Sequence, residues 1–230
     1  MLIGSTPTDL EIDVSGTYLY AGHLDTLAIA QIDAATMSFV RFITTPRDNH
    51  DIAPLGSDRI ATIDSDQWTT PTLMDIATGR VLDDVHWGAA VGALAATADG
   101  NTLFVGDAAG PVIRYDVSAG KMRQVATSSS TMVGPAVMAT PDGSSVYYSG
   151  YCLNGANLTE TRYRQYDQIL SIAPNGNLAV SEHEVYRVSD GTTLTTLPAY
   201  CNAEAVSSDS GWLYCAPGIG VLTFDLHGLN

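Results

Sequence analysis

Apolar and polar residues along this chain fall into short blocks rather than helical stripes. A polar turn of Asp, Ser, Asn and Gly precedes a run of β-forming residues, and the phrase recurs six times. The copies are DVSGTYLYAG from Asp13, PLGSDRIATI from Pro54, TADGNTLFVG from Thr97, TPDGSSVYYSG from Thr140, APNGNLAVSE from Ala173 and SSDSGWLYCA from Ser207. Anchored on Gly16, Ser57, Gly100, Gly143, Gly176 and Gly211, they lie 41, 43, 43, 33 and 35 residues apart. A second phrase, an apolar strand ending in a polar turn, follows in most copies: AQIDAAT to Thr36, LMDIATGR to Arg80, IRYDVSAG to Gly120, VYRVSDG to Gly191 and LTFDLHG to Gly228. Each unit thus offers two hairpin turns, and Asp-Gly, Asn-Gly and Ser-Gly supply the positive φ such turns need. Units of this period, with alternating or wholly apolar strands, predict the stacked sheets of a β-propeller.

Four strands fit the first unit, over residues 8–12, 17–21, 27–32 and 38–44. The last unit stops after its third strand, at Leu226, and residues 1–5 read as a spare strand that pairs with it and closes the ring. The expectation is an all-β chain: a single β-propeller domain of six short blades, closed by the N-terminal strand. The blades run over roughly residues 6–45, 46–88, 89–132, 133–167, 168–200 and 201–230 plus 1–5. The fourth fits least well, because residues 150–168 must carry two strands and a loop. Either it lacks a strand or its outer hairpin turns at Asn154-Gly155.

The phrases TPDGSSVYYSG and ADGNTLFVG, with strands such as VIRYDVSAG, resemble the repeats of the YVTN and lactonase-like propellers. That resemblance covers nearly the whole chain. It implies an exported or cell-surface binding module, or a metal-dependent enzyme like the propeller lactonases. The WD dipeptide of WD-repeat propellers is missing, and SSDSGWLY resembles a sialidase Asp-box only once.

Charge narrows the partners. Of 230 residues, 25 are acidic and 10 basic, a net charge of −15, and Lys121 is the one lysine. Such a surface repels phosphate backbones, so no nucleic-acid partner is expected. No run of ~20 apolar residues exists to span a membrane, and the N-terminus lacks the basic start of a signal peptide. Three cysteines, Cys152, Cys201 and Cys215, form no CxxC pair. A disulfide from Cys201 to Cys215 or from Cys152 to Cys201 is compatible with the strand layout. Residues 157–159, Asn-Leu-Thr, form a glycosylation sequon.

Candidate chemistry concentrates in the connections of one face, termed the top, where inner strands begin; turns on the other face are uniformly tight. Aromatic and polar residues of the top connections form the candidate ligand set for a protein or carbohydrate: Trp68, Trp87, Tyr163, Arg164, Tyr166, Tyr200 and Asn202. Tyr18, Tyr20, Phe104, Tyr147, Tyr214 and Phe224 lie in strand phrases and are assigned to packing. Asp9, His50, Asp51, His86 and Glu204 begin or precede inner strands, where closure would gather them around the channel mouth. There they either hold calcium or zinc or simply cap strand ends. No GxSxG elbow, HExxH or EF-hand loop occurs. The reading is therefore a non-catalytic binding propeller without a cofactor, with a metal-dependent hydrolase as the alternative.

Overall fold

The structure, a computed structural model, describes residues 7–65, 71–85, 92–129, 136–163, 168–218 and 220–229. Six antiparallel sheets stand in a ring, a six-bladed β-propeller, with no helix among the described residues. Blade 1 comprises β1 (Pro7–Ile12), β2 (Tyr18–His23), β3 (Ala28–Asp33) and β4 (Ser38–Thr44). Blade 2 comprises β5 (Asp51–Leu55), β6 (Arg59–Ile63), β7 (Thr72–Asp75) and β8 (Val81–Asp84). Blade 3 holds β9 (Gly92–Ala96), β10 (Thr102–Asp107), β11 (Val112–Asp116) and β12 (Arg123–Thr127). Blade 4 holds β13 (Val137–Ala139), β14 (Ser145–Tyr148), β15 (Tyr151–Asn154) and β16 (Glu160–Tyr163). Blade 5 holds β17 (Ile169–Ile172), β18 (Leu178–Ser181), β19 (Glu184–Arg187) and β20 (Thr193–Thr196). Blade 6 has three strands, β21 (Ala203–Val206), β22 (Trp212–Ala216) and β23 (Leu222–Asp225). Strands pair in chain order within every blade. Residues 1–5, expected to close the ring, lie outside the described residues.

The recurring polar phrase builds the bottom turns through local hydrogen bonds. In blade 3, Thr97 Oγ1 donates to Asp99 Oδ1 (2.6 Å), which also accepts the Asn101 amide (3.0 Å), while the Gly100 amide reaches Thr97 O (2.9 Å). Blade 4 repeats this with Thr140, Asp142, Gly143 and Ser144. Gly100 has φ +67°, and a Cβ there would lie 2.6 Å from the Gly56 amide of the neighbouring blade. Only glycine satisfies both the turn and the close approach.

Blade 4 has four strands, and its outer hairpin turns between Asn154 and Thr159, with Leu158 at φ +57° and buried. Its two middle strands turn on two residues, Ser149 and Gly150, both with positive φ. That turn places Tyr148 directly opposite Tyr151, so Tyr151 begins a strand.

Five apolar cores fill five blade junctions. Tyr20 and Ile29 meet Ile52 and Met74 between blades 1 and 2. Leu55 and Leu73 meet Leu94 and Tyr115 between blades 2 and 3, and Phe104 meets Val137 and Tyr148 between blades 3 and 4. Tyr147 packs on Ile169 and Tyr186 between blades 4 and 5, and Val180 packs on Leu213 and Cys215 between blades 5 and 6. Each fully buried side chain of this size stabilises the fold by about 1.5–3 kcal/mol. No such core joins blade 6 to blade 1 among the described residues. Tyr214, expected in the packing, is accordingly exposed, as is Trp212 beside it.

Candidate functional site

Two groups of polar residues sit on or near the top face, and strand register explains why they are separate. The first lies where the inner strands of blades 1, 2 and 3 meet. An innermost strand has one edge without a ladder partner, so its inward amides need acceptors. Asp9 Oδ2 accepts the Ile52 amide of the next blade (2.9 Å), and Asp51 Oδ2 accepts the Leu94 amide of the blade after that (2.7 Å). Asp9 Oδ1 also takes the amide of Leu10 (2.8 Å). The Asp9 and Asp51 carboxyls lie beside each other. Burial, and then the neighbouring Asp9, push Asp51 well above the ordinary carboxylate range. Glu11, one pleat further down the same face of β1, is pushed up to about 8 by burial and then by Asp9. Below them a channel of about 280 Å³ runs between the inner strands, lined by Glu11, Ile52, Leu94 and Ile172 among others. His50 enters blade 2 half-buried, with its amide bonded to Ile63 O (2.8 Å).

The second group lies at the top corner of blades 5 and 6. A disulfide joins Cys201, in the connection between these blades, to Cys215 in β22; Cys152 is free and buried. The Cys201 amide also bonds Glu182 O (2.8 Å) and the Asn202 amide bonds Ala216 O (2.9 Å), so the connection is pinned on both sides. Tyr200 projects from it, 65% exposed, with its ring 4.9 Å from that of His183. His183 and Glu182 form the two-residue turn between β18 and β19. Glu204 pairs opposite Cys215 and therefore shares the face turned toward blade 5. Both of its carboxyl oxygens are buried without a hydrogen-bond partner among the described residues. Burial, and then Glu182, push it up to about 8.

The structure thus brings Asp9 and Asp51 together and sets Tyr200, Asn202 and Glu204 in another cluster. Glu204 does not join Asp9, because its electrostatic neighbour is Glu182 in blade 5. Trp68, Trp87, Arg164, Tyr166 and His86 lie outside the described residues; Tyr163 ends β16. Among the described residues no group of three or more His, Cys, Asp or Glu is arranged to hold a metal ion. Glu11 was not among the residues singled out from sequence, although DLEID places Asp9 and Glu11 on one strand face by simple alternation. His23 ends β2 and is 1% exposed, with both ring nitrogens unpartnered among the described residues.

No protein-family model and no curated protein sequence matches the chain. Among solved structures, the fold is similar to that of hydrazine synthase from Kuenenia stuttgartiensis, with a TM-score of 0.78 at 12% identity. The match covers all of this chain and 81% of that one. At that identity the likeness establishes the propeller fold alone.

Proposed function

We propose that this protein is a non-catalytic binding propeller of the YVTN type, exported or part of a larger surface protein, that takes a protein or carbohydrate ligand on its top face at the corner of blades 5 and 6. The observation that carries the reading is the exposed Tyr200 ring, 4.9 Å from that of half-buried His183 and held on a connection pinned by the 201–215 disulfide. A large aromatic left 65% exposed on a fixed backbone is a ready stacking surface, and its ordering is already in place before a ligand arrives. The exposed Asn202 amide, one residue beyond Cys201, supplies a donor and an acceptor beside the rings. The disulfide also suits an oxidising compartment.

The test is a screen of glycan and peptide arrays with the wild-type protein and with Tyr200→Ala and Asn202→Ala. A ligand whose affinity falls at least about tenfold in both variants is the expected result, in the range for losing a stacking or hydrogen-bonding contact. Ligands that bind both variants as well as wild type would remove this corner from the account. A second reading is a metal-dependent hydrolase resembling the propeller lactonases, with calcium or zinc over the channel. It rests on the adjacency of Asp9 and Asp51. Melting the same protein with and without each ion separates the two readings, since a cation bound at a hundred times its Kd adds about 2.7 kcal/mol.

A further inference from the structure

One turn of the repeat differs in charge from its counterparts. The third strand of a blade ends on Asp33 in blade 1, Asp75 in blade 2, Asp116 in blade 3 and Asp225 in blade 6, and on Asn154 in blade 4. Each of these side chains accepts an amide two or three residues further on and so closes the bottom turn that follows. In blade 5 the position is Arg187, which has no acceptor. Its turn is closed instead by Asp190, whose Oδ1 takes the Thr192 amide (2.9 Å). A basic side chain thus stands where the other blades use an oxygen. Arg187 lines a cleft of about 330 Å³ at the bottom of blades 4 and 5, together with Arg162, Ser144, Ser145, Asn177 and Ser189. Blade 3 has the corresponding cleft, of about 380 Å³, and there the charges balance: Asp99 and Asp116 line it beside Arg114 and Arg123, and Arg123 Nη2 donates to Asp116 Oδ2 (2.6 Å). The counterparts of those two carboxylates in blade 5 are Asn175 and Arg187. No Asp or Glu lines the blade 5 cleft among the described residues, in a chain whose net charge is −15. Arg187 keeps one ion pair, with Asp190 (3.2 Å), and both partners are about half exposed.

Arg162 is the second unmatched group. It holds the position in blade 4 that Arg41 holds in blade 1. Each lies on the outermost strand and donates to the carbonyl just past the third strand of the next blade, Val188 O and Ile76 O, both at 2.7 Å. Arg41 uses all three of its nitrogens, since Nη1 also bonds Ala77 O (2.8 Å) and Nε bonds Gln31 Oε1 (2.8 Å). Arg162 lies opposite Cys152 where Arg41 lies opposite Gln31, so a 3.7 Å contact to Sγ stands in for the bond to an amide oxygen. The Arg162 Nη1 is buried against Gly191 with no acceptor among the described residues. A buried charged donor is costly without a partner. The cleft therefore carries two guanidinium groups and one exposed carboxylate partner.

We infer that the bottom cleft of blades 4 and 5 binds the oxyanion group of a small organic ligand, a carboxylate or a phosphate or sulfate ester, between the Arg162 and Arg187 guanidiniums. Arginine presents its N–H donors in a fork that matches such groups. The Ser145 and Ser189 hydroxyls and the Asn177 side-chain amide add donors around it. A cleft of this size lies at the lower end of the range for ligand pockets, so the body behind the anion is small. The site is on the face opposite the Tyr200 corner and does not depend on it.

The test is calorimetric titration of the whole protein with inorganic phosphate, sulfate and glucuronate, all at one ionic strength fixed with sodium chloride. At least one of the three binds wild type. Binding of phosphate or sulfate alone assigns a phosphate or sulfate ester to the ligand, binding of glucuronate alone a carboxylate, and binding of all three an oxyanion without further selection. Arg187→Gln weakens the binding at least about tenfold, the loss expected for one charge-assisted hydrogen bond. Arg187→Asp, which restores the residue found in blades 1, 2, 3 and 6, abolishes it. Arg187 is about half exposed, so both variants melt as wild type does. Arg123→Gln, in the corresponding cleft of blade 3, leaves the affinity unchanged. Absence of binding by all three anions, or equal affinity for wild type and Arg187→Gln, would overturn the inference. An equal loss in Arg123→Gln would reduce the effect to the overall charge of the protein and overturn it as well.

Discussion

Carboxyl groups do two opposite jobs in this molecule. In the turns, Asp33, Asp75, Asp99, Asp142 and Asp209 accept bonds from Thr or Ser hydroxyls and nearby amides, and these bonds hold each below the usual carboxylate range. In the interior, Asp51, Glu11 and Glu204 are raised, the last two to about 8. The lowered group favours folding above its ordinary pKa and loses that contribution as pH falls through the native value. The raised group does the reverse: the native state holds protons that the unfolded chain has released, so stability falls as pH rises from about 4.5 to about 8. The protein is therefore expected to melt at a higher temperature at pH 5 than at pH 8. Glu11→Gln and Glu204→Gln should each flatten that slope, by a few degrees per kcal/mol removed for a chain of this size. Thermal melts across that range check it; a melting temperature rising toward pH 8 would contradict it.

At the scale of strands and turns, the local chemistry was legible in the sequence and the long-range chemistry less so. Thr-x-Asp-Gly announces its turn because the bonds that close it lie within five residues. The hairpin of blade 4 left two readings open. Its turn is built on Leu158, an apolar residue in the left-handed region, where sequence signals favour Gly or Asn. The capping by Asp9 and Asp51 spans 43 residues in both cases, one repeat, so it emerges only once blades are set side by side. Glu204 was placed near Asp9 on the assumption that the first and last inner strands are neighbours like any others; register turns it toward Cys215 and blade 5. The repeat also supplies a matched pair of substitutions. Ile52→Ala removes a side chain packed between two blades and should cost about 2–5 kcal/mol. Leu10→Ala, at the same position in the repeat, should stay within about 0.5 kcal/mol of wild type. Urea unfolding of both variants gives the comparison, and equal costs would mean that the two positions are equally covered.

Considered as a whole, the molecule is an array whose neighbours stabilise one another. Each inner blade is held by two apolar cores, whereas blades 1 and 6 are held by one apiece among the described residues. Repeat arrays open first where a unit has fewest neighbours. Hydrogen exchange read by mass spectrometry, peptide by peptide, tests this most directly. Peptides spanning β5, β9, β13 and β17 should exchange slowly, and those spanning β1 and β21 distinctly faster. Protection of β1 and β21 equal to that of the other inner strands would contradict the account, because it would mean that blades 6 and 1 support each other as the other neighbours do.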